Sequence, residues 1–447
     1  MLGFKNLTSA GGRNRMDFLL FGAMIALVIL GALCIMSAVN SLSLSNPVVR
    51  THLLALLVGA MGFFVGWSVN YQVYDEQWKI LYGIILALLV GVLLFGAYQR
   101  GSRSWFVLPF FSVQPSEICR VYTILVAAAF LDRRGRRIRD ASSLFGLGLL
   151  LVPVFGLIMM QPDFSSVVVT LPALIVLLYC TGVNIFYLLL IGLFAGVAGF
   201  FTIAWTYLHL HPELLDYGLL NAFFQVGRNG WYMSGFCVSV ILLGYFSWWF
   251  FKQLRIFLPP VYFILATLVI LAGLFGGMFV DHQMKPHQRK RVETFLAPSS
   301  DPQGAGYNVL QAQIAMGAGG VFGKGLFSGT QSRLGFVPEK HTDFILAVVG
   351  EELGLWGTLL VLGLYFLILW RIIVVAYNSS DRYGYLVCSG IFGMFFTYML
   401  VNFGMLIGMV PVAGIPLPFI SYGGSNLVSS LFALGVVQSV YARRLRA

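Results

Sequence analysis

DFLLFGAMIALVILGALCIMSAV, residues 17–39, carries one charge, at Asp17, and is otherwise apolar over a length that crosses ~30 Å of hydrocarbon. The stretch is too long for the apolar part of a cleaved signal peptide, and no small-residue cleavage site follows it, so it reads as a retained span. Runs of the same kind recur at 51–69, 80–98, 117–131, 143–160, 165–182 and 185–205, and again at 233–251, 257–280, 343–370, 384–408 and 421–441. That makes about 12 spans at roughly 20 residues each. The run 117–131 is short, and 343–370 is long and carries Glu351 and Glu352.

Composition agrees. Of 447 residues 59% are apolar and 10% charged, against roughly 25% charged in a soluble domain. A soluble fold has no means of keeping so much apolar surface from water, which excludes a soluble enzyme, a nucleic-acid-binding protein and a disordered scaffold. Five cysteines lie singly, mostly within apolar runs, and read as small apolar residues without metal-ligand spacing.

The net charge of +11 encodes orientation more than a partner. With the N-terminus cytoplasmic, alternate loops carry Lys5, Arg13 and Arg15, then Arg133, Arg134, Arg136, Arg137 and Arg139. Lys252 and Arg255, Arg371 and Arg382, and finally Arg443, Arg444 and Arg446 fall on the same side. The expectation is an all-α polytopic bundle, residues 1–447 forming a single integral membrane domain with both termini inside. Its large extracytoplasmic loop is 281–342, with a shorter outer loop at 206–232. No internal repeat argues for an inverted-repeat transporter.

Charges in or beside a membrane are costly and therefore point to function, with a structural ion pair as the equal alternative in each case. In the outer loop, Lys285, Arg289, Lys290 and Arg291 precede Asp301-Pro302, and Gly304 and Gly306 follow. This is either a solvated basic loop near headgroups or an anion site with a carboxylate presented on a stiff turn. The amphipathic piece with Tyr307, Leu310 and Ile314 at helical spacing comes next. The Gly-rich stretch around Lys324 lacks the Walker spacing, since Gly325 follows the lysine. Glu117 and Arg120 sit three apart on one helix face and are able to pair, and Asp163 ends a span on the same side. Arg100 and Arg103 lie nearby. Residues 410–425, VPVAGIPLPFISYGGS, read as a re-entrant segment, because non-helical backbone at a membrane boundary must be buried in protein or line a cavity.

Taken in order, these segments resemble the SEDS family of bacterial cell-wall polymerases. The matches are GxxxW at 101–105, QPSE at 114–117, QPD at 161–163, HQRKRV at 287–292 and DPQGAGYNVLQAQIAMGAGGVFGKG at 301–325. PEKHTDFILAVVGEELG at 338–354 and PLPFISYGGS at 416–425 complete the set. GTQ at 329–331 and HTDF at 341–344 look more like the elongation (RodA) branch than the division (FtsW) branch. The resemblance implies a peptidoglycan glycosyltransferase that polymerises lipid II at the outer face of the cytoplasmic membrane, with Asp301 as the catalytic carboxylate. It also implies a class B penicillin-binding protein, a transpeptidase, as partner within the elongation machinery, and no nucleic acid.

Three positions depart from the family pattern: Ser104 and Ser112 stand where basic residues are usual, and Arg120 where lysine is usual. Family members usually have ten spans, and part of 206–280 here adds a helical hairpin before the catalytic loop.

The chemistry fits this implication. Conversion of an α-linked diphosphate donor to a β-linked glycan requires inversion by direct displacement. That asks for one general base at the attacking hydroxyl and cations on the departing diphosphate. Asp301 supplies the base. Arg103, Arg120, Arg289, Arg291 and Lys324 are candidates for the diphosphate. Glu117, Asp163, His341, Asp343 and Ser421 complete the substrate-binding candidates. A divalent cation such as Mg2+ would serve the leaving group too, but the sequence offers no closed ligand set. A flippase for lipid-linked sugars is the rival reading, in which Glu351 and Glu352 would dominate and Asp301 would be dispensable. A non-catalytic scaffold has no use for Asp-Pro and a basic cluster in one loop.

Overall fold

The computed structural model describes residues 16–40, 45–99, 102–107, 112–135, 137, 140–256, 258–284, 286–297, 305–333 and 340–444. Asp301, Arg100 and Lys285 lie outside them. The chain begins with helices α1 (Phe18–Ala38), α2 (Pro47–Ser68), the short α3 (Gln72–Glu76) and α4 (Trp78–Phe95). Strands β1 (Ala97–Gln99), β2 (Ser102–Val107) and β3 (Ser112–Val113) follow, then α5 (Pro115–Arg134), α6 (Ala141–Met160), α7 (Phe164–Thr181) and α8 (Ile185–Leu210). Next come α9 (Gly218–Val226), α10 (Gly230–Gln253), α11 (Pro260–Gln283), α12 (Pro286–Leu296) and α13 (Ala305–Ala318). The chain closes with α14 (Thr330–Arg333), α15 (Ile345–Tyr377), α16 (Arg382–Leu406) and α17 (Gly424–Arg443).

Among the described residues, 11 helices are long and apolar enough to cross a membrane. They include every expected span but 117–131, which is α5. This helix is as long as its neighbours, yet nearly every position from Pro115 to Leu131 is buried. A helix enclosed by other helices need not be apolar all round, so α5 can carry Glu117, Arg120 and Thr123 inward. The protein is a polytopic all-α membrane protein. The β1–β2–β3 antiparallel ribbon between α4 and α5 has no counterpart in the sequence reading.

The chain divides into two compact units, Met1–Val183 with Leu310–Ala447, and Asn184–Val309. In the first, α17 packs along α2, α16 against α5 and α7, and α15 against α1 and α16. Between α2 and α17 the backbones nearly touch: a Cβ on Gly435 would lie 2.3 Å from the carbonyl oxygen of Phe63. Hydrocarbon gives no hydrophobic drive between helices, so small residues bring them together. The second unit packs α8 against α11, with Phe201, Trp205, Phe224 and Leu274 in its core. Helices α10 and α11, from the 206–280 region, belong to this unit.

Two elements correct the sequence reading. α13 is a helix, but Leu310 and Ile314 are 51% and 44% exposed, whereas Ala312 and Ala315 are fully buried. Bulky apolar residues face outward here and small ones inward, the reverse of a soluble amphipathic helix. The run 343–370 is also no uninterrupted span. α15 breaks at Gly354, with φ +67° and ψ −161°. The loop after α13 closes the gap in strand-like fashion. Lys324 N donates to Glu351 O (3.0 Å) and Gly325 N to Glu352 O (2.9 Å), while Leu355 N donates to Gly320 O (3.0 Å). Gly354→Ala is expected to cost about 2–4 kcal/mol, because that backbone region is essentially reserved for glycine and its Cβ would meet Gly323 N at 2.3 Å. Thermal denaturation of the purified variant in detergent checks this.

Candidate functional site

Pro115 opens α5 at its first turn, which sets Glu117 and Arg120 one turn deep on the inward face. Arg120 Nη1 pairs with Glu117 Oε2 at 2.9 Å, and its Nη2 donates to Ser166 Oγ at 2.9 Å. The guanidinium lies 5.2 Å from the Tyr398 ring centroid, and the Tyr398 hydroxyl donates to Glu117 Oε2 at 3.4 Å. Asn426 Nδ2 reaches the Tyr398 hydroxyl at 3.0 Å, tying α17 to the group. Arg120 is 2% exposed and Glu117 7%.

Asp163 joins this pair through Ser166. Its Oδ1 accepts from Ser166 N (3.2 Å), capping α7, and its Oδ2 accepts from Ser166 Oγ (2.6 Å), Ser116 Oγ (2.5 Å) and Gln114 Nε2 (2.8 Å). A carboxylate with that many donors is fixed in place. The Gln114 backbone N donates to Ser425 Oγ at 2.8 Å, which links the QPSE segment to the start of α17. Two polar atoms of the cluster, Arg120 Nε and Gln161 Oε1, are buried without a hydrogen-bond partner.

Ser104, where the family pattern has a base, is buried and donates to Gln161 O at 2.7 Å. Arg103 is on the exposed side of β2, opposite Tyr98. Ser421 Oγ accepts from Leu417 N at 2.8 Å, so its hydroxyl shapes the turn of the non-helical segment before α17. Ile415, Leu417, Phe419 and Ile420 of that segment are buried, as a re-entrant stretch requires. His341 and Asp343 are half-buried, and the His341 ring lies 5.5 Å from Tyr422, whose N donates to His341 O at 2.8 Å.

Lys324 is engaged at the break in α15. Its Nζ meets Glu351 Oε1 at 3.3 Å and Thr330 Oγ1 at 2.6 Å. Glu351 also accepts from Gln331 N (2.7 Å) and Ser332 N (2.9 Å), while Glu352 accepts from Ser37 Oγ on α1 and from Phe327 N. The two glutamates therefore tie loop to helix. Beside them Lys340, which donates to Ser332 O, has its pKa lowered by burial, with Glu351 opposing the shift. In the second unit Arg289 pairs with Asp281 at 2.9 Å, and Arg291 is exposed on α12. No group of three or more His, Cys, Asp or Glu able to hold a metal ion occurs among the described residues.

The structure brings Glu117, Arg120 and Asp163 together and keeps Arg103, Lys324 and Ser421 in separate contacts. Ser116 lies inside the QPSE motif and Ser166 three residues after the Asp163 of QPD, and the spacing marks neither. Tyr398 and Asn426 gave no signal, being a lone aromatic and a lone amide in apolar runs.

The chain matches the family model FTSW_RODA_SPOVE, described as cell cycle protein, over residues 16–223 and 225–445. It is 33% identical over 427 residues to the peptidoglycan glycosyltransferase MrdB of Escherichia coli, covering 94% of this chain and 92% of that one. To the peptidoglycan glycosyltransferase RodA of Treponema pallidum it is 30% identical, covering 97% and 99%. Among solved structures, a chain from work on structural coordination of polymerization and crosslinking by a peptidoglycan synthase complex superposes with a TM-score of 0.66 at 26% identity, covering 97% of this chain and 99% of that one. The rod shape determining protein RodA of Thermus thermophilus superposes at 0.59 and 23% identity, over 97% and 98%, which speaks for the fold. The chain belongs to the FtsW/RodA/SpoVE family of cell cycle proteins, the SEDS family.

Proposed function

We propose that this chain is a peptidoglycan glycosyltransferase of the elongation type, polymerising lipid II at the outer face of the cytoplasmic membrane. Asp301 acts as general base on the attacking hydroxyl, and arginines stabilise the departing diphosphate. The observation that carries the reading is Arg120, a guanidinium buried at the outer end of α5 and aimed by Glu117, Ser166 and Tyr398, with Nε left unbonded. A buried donor without a partner costs about 1–3 kcal/mol, a cost offset where a ligand supplies the acceptor. The relatives named peptidoglycan glycosyltransferases support the same chemistry. Arg289, Arg291, Lys324 and Arg103 are further proposed diphosphate contacts, and Asp163, His341, Asp343 and Ser421 shape the site around the substrate.

The proposed partner is a class B penicillin-binding protein, in line with the neighbour from a peptidoglycan synthase complex. The test is purified chain with lipid II in liposomes, with and without the cognate transpeptidase. Glycan strands that lengthen or accumulate faster with the partner are expected. Transfer of lipid II across the bilayer without strands would replace this reading with a flippase.

A further inference from the structure

A cavity of ≈ 570 Å³ opens within the second unit, between the outer ends of α8 and α11, the turn after α9, and α12. It draws on the 206–280 region, and all its lining residues belong to the second unit. Four charged side chains line it: Arg228, Asp281, Arg289 and Glu293. Arg289 and Asp281 neutralise each other in a 2.9 Å ion pair. Arg228 lies over the Phe224 ring, 4.2 Å from the centroid, and has no carboxylate partner among the described residues. Glu293, one turn along α12 from Arg289, likewise has no cationic partner among them. The cavity therefore offers one uncommitted cation and one uncommitted anion around an already neutral pair.

Thr206, His209, His282 and Gln283 add polar groups to the lining, and the remainder is apolar. Trp205, Phe224 and Met278 form an apolar floor near the C-terminal ends of α8 and α11. From the rim a stripe descends the outside of α11 at helical spacing: Phe279 (66% exposed), Phe275 (48%), Leu268 (55%) and Ile264 (56%). A ligand that fits has paired opposite charges at one end and a hydrocarbon tail at the other.

We propose that this cavity holds the headgroup of a zwitterionic phospholipid of the outer leaflet, with its phosphate on Arg228, its ammonium on Glu293 and an acyl chain along the α11 stripe. An anionic lipid satisfies Arg228 but leaves the half-buried Glu293 beside negative charge. A quaternary ammonium brings a cation without N–H donors and forgoes the hydrogen bond to Glu293. The order of preference is thus phosphatidylethanolamine over phosphatidylcholine over phosphatidylglycerol. The site does not depend on the role of Asp301.

The test is native mass spectrometry of the full chain released from vesicles holding equal amounts of those three lipids. Phosphatidylethanolamine retained about tenfold over phosphatidylcholine is expected, the worth of one charge-assisted hydrogen bond. Arg228→Ala, at an exposed position that leaves the fold intact, is expected to lower that retention about tenfold, and Glu293→Gln to abolish the preference over phosphatidylcholine. Equal retention of the three lipids by the unaltered chain overturns the proposal, as does a preference for phosphatidylglycerol. Displacement of the lipid by a soluble disaccharide-peptide fragment of peptidoglycan would also overturn it, by making the cavity a substrate subsite.

Discussion

Asp301→Asn is expected to lower the rate of lipid II polymerisation about 10²- to 10⁴-fold, the range a positioned general base contributes. The amide matches the carboxylate in size and has no lone pair basic enough to take the hydroxyl proton. Because the residue sits in the outer loop ahead of Pro302, melting temperature and association with the transpeptidase are expected to stay as they are. The pH profile supplies a second readout. If Asp301 is the base, the acid limb of the parent's pH–rate profile is expected to be missing from the residual rate of the variant. Polymerisation at the parent rate would remove Asp301 from the mechanism.

The second large effect is on stability. Arg120→Met leaves Glu117 buried, with a 3.4 Å hydrogen bond from the Tyr398 hydroxyl and no cation. Breaking a buried pair from one side costs about 3–5 kcal/mol, far more than the pair contributes when both partners are exchanged. The variant is therefore expected to melt well below the parent in detergent. Glu117→Gln combined with Arg120→Met is expected to recover most of that loss, since no ion is then stranded. Activity separates folding from chemistry: if Arg120 contacts the diphosphate, the double variant folds but polymerises poorly. A double variant as active as the parent would confine the pair to a structural role.

Much of the bundle is legible in the sequence because hydrocarbon imposes a single rule, an apolar run long enough to cross it. α5 shows where that rule thins: a helix with no lipid contact may be polar, and hydropathy alone undercounts it. Leu310 and Ile314 show a second limit, because periodicity reports a face but not whether water, lipid or protein covers it. The Glu117–Arg120 pair was readable from spacing on one helix. Ser166 and Tyr398 complete it from α7 and α16, and no local pattern announces contacts made across helices. Lys324 is a candidate for the diphosphate as one of the outer cations, and Glu351, 27 positions onward, engages it, a contact no local pattern announces.

The break in α15 bears on biogenesis. A span that leaves carbonyls and amides open at its outer end is costly to insert alone, at several kcal/mol for each unsatisfied group in hydrocarbon. Here the complementary strand, residues 320–325, emerges from the ribosome before α15 and lies on the far side when that helix arrives. Vectorial synthesis thus delivers the template ahead of the segment it completes. A circular permutation that reversed this order would keep every contact of the mature protein and still be expected to insert poorly.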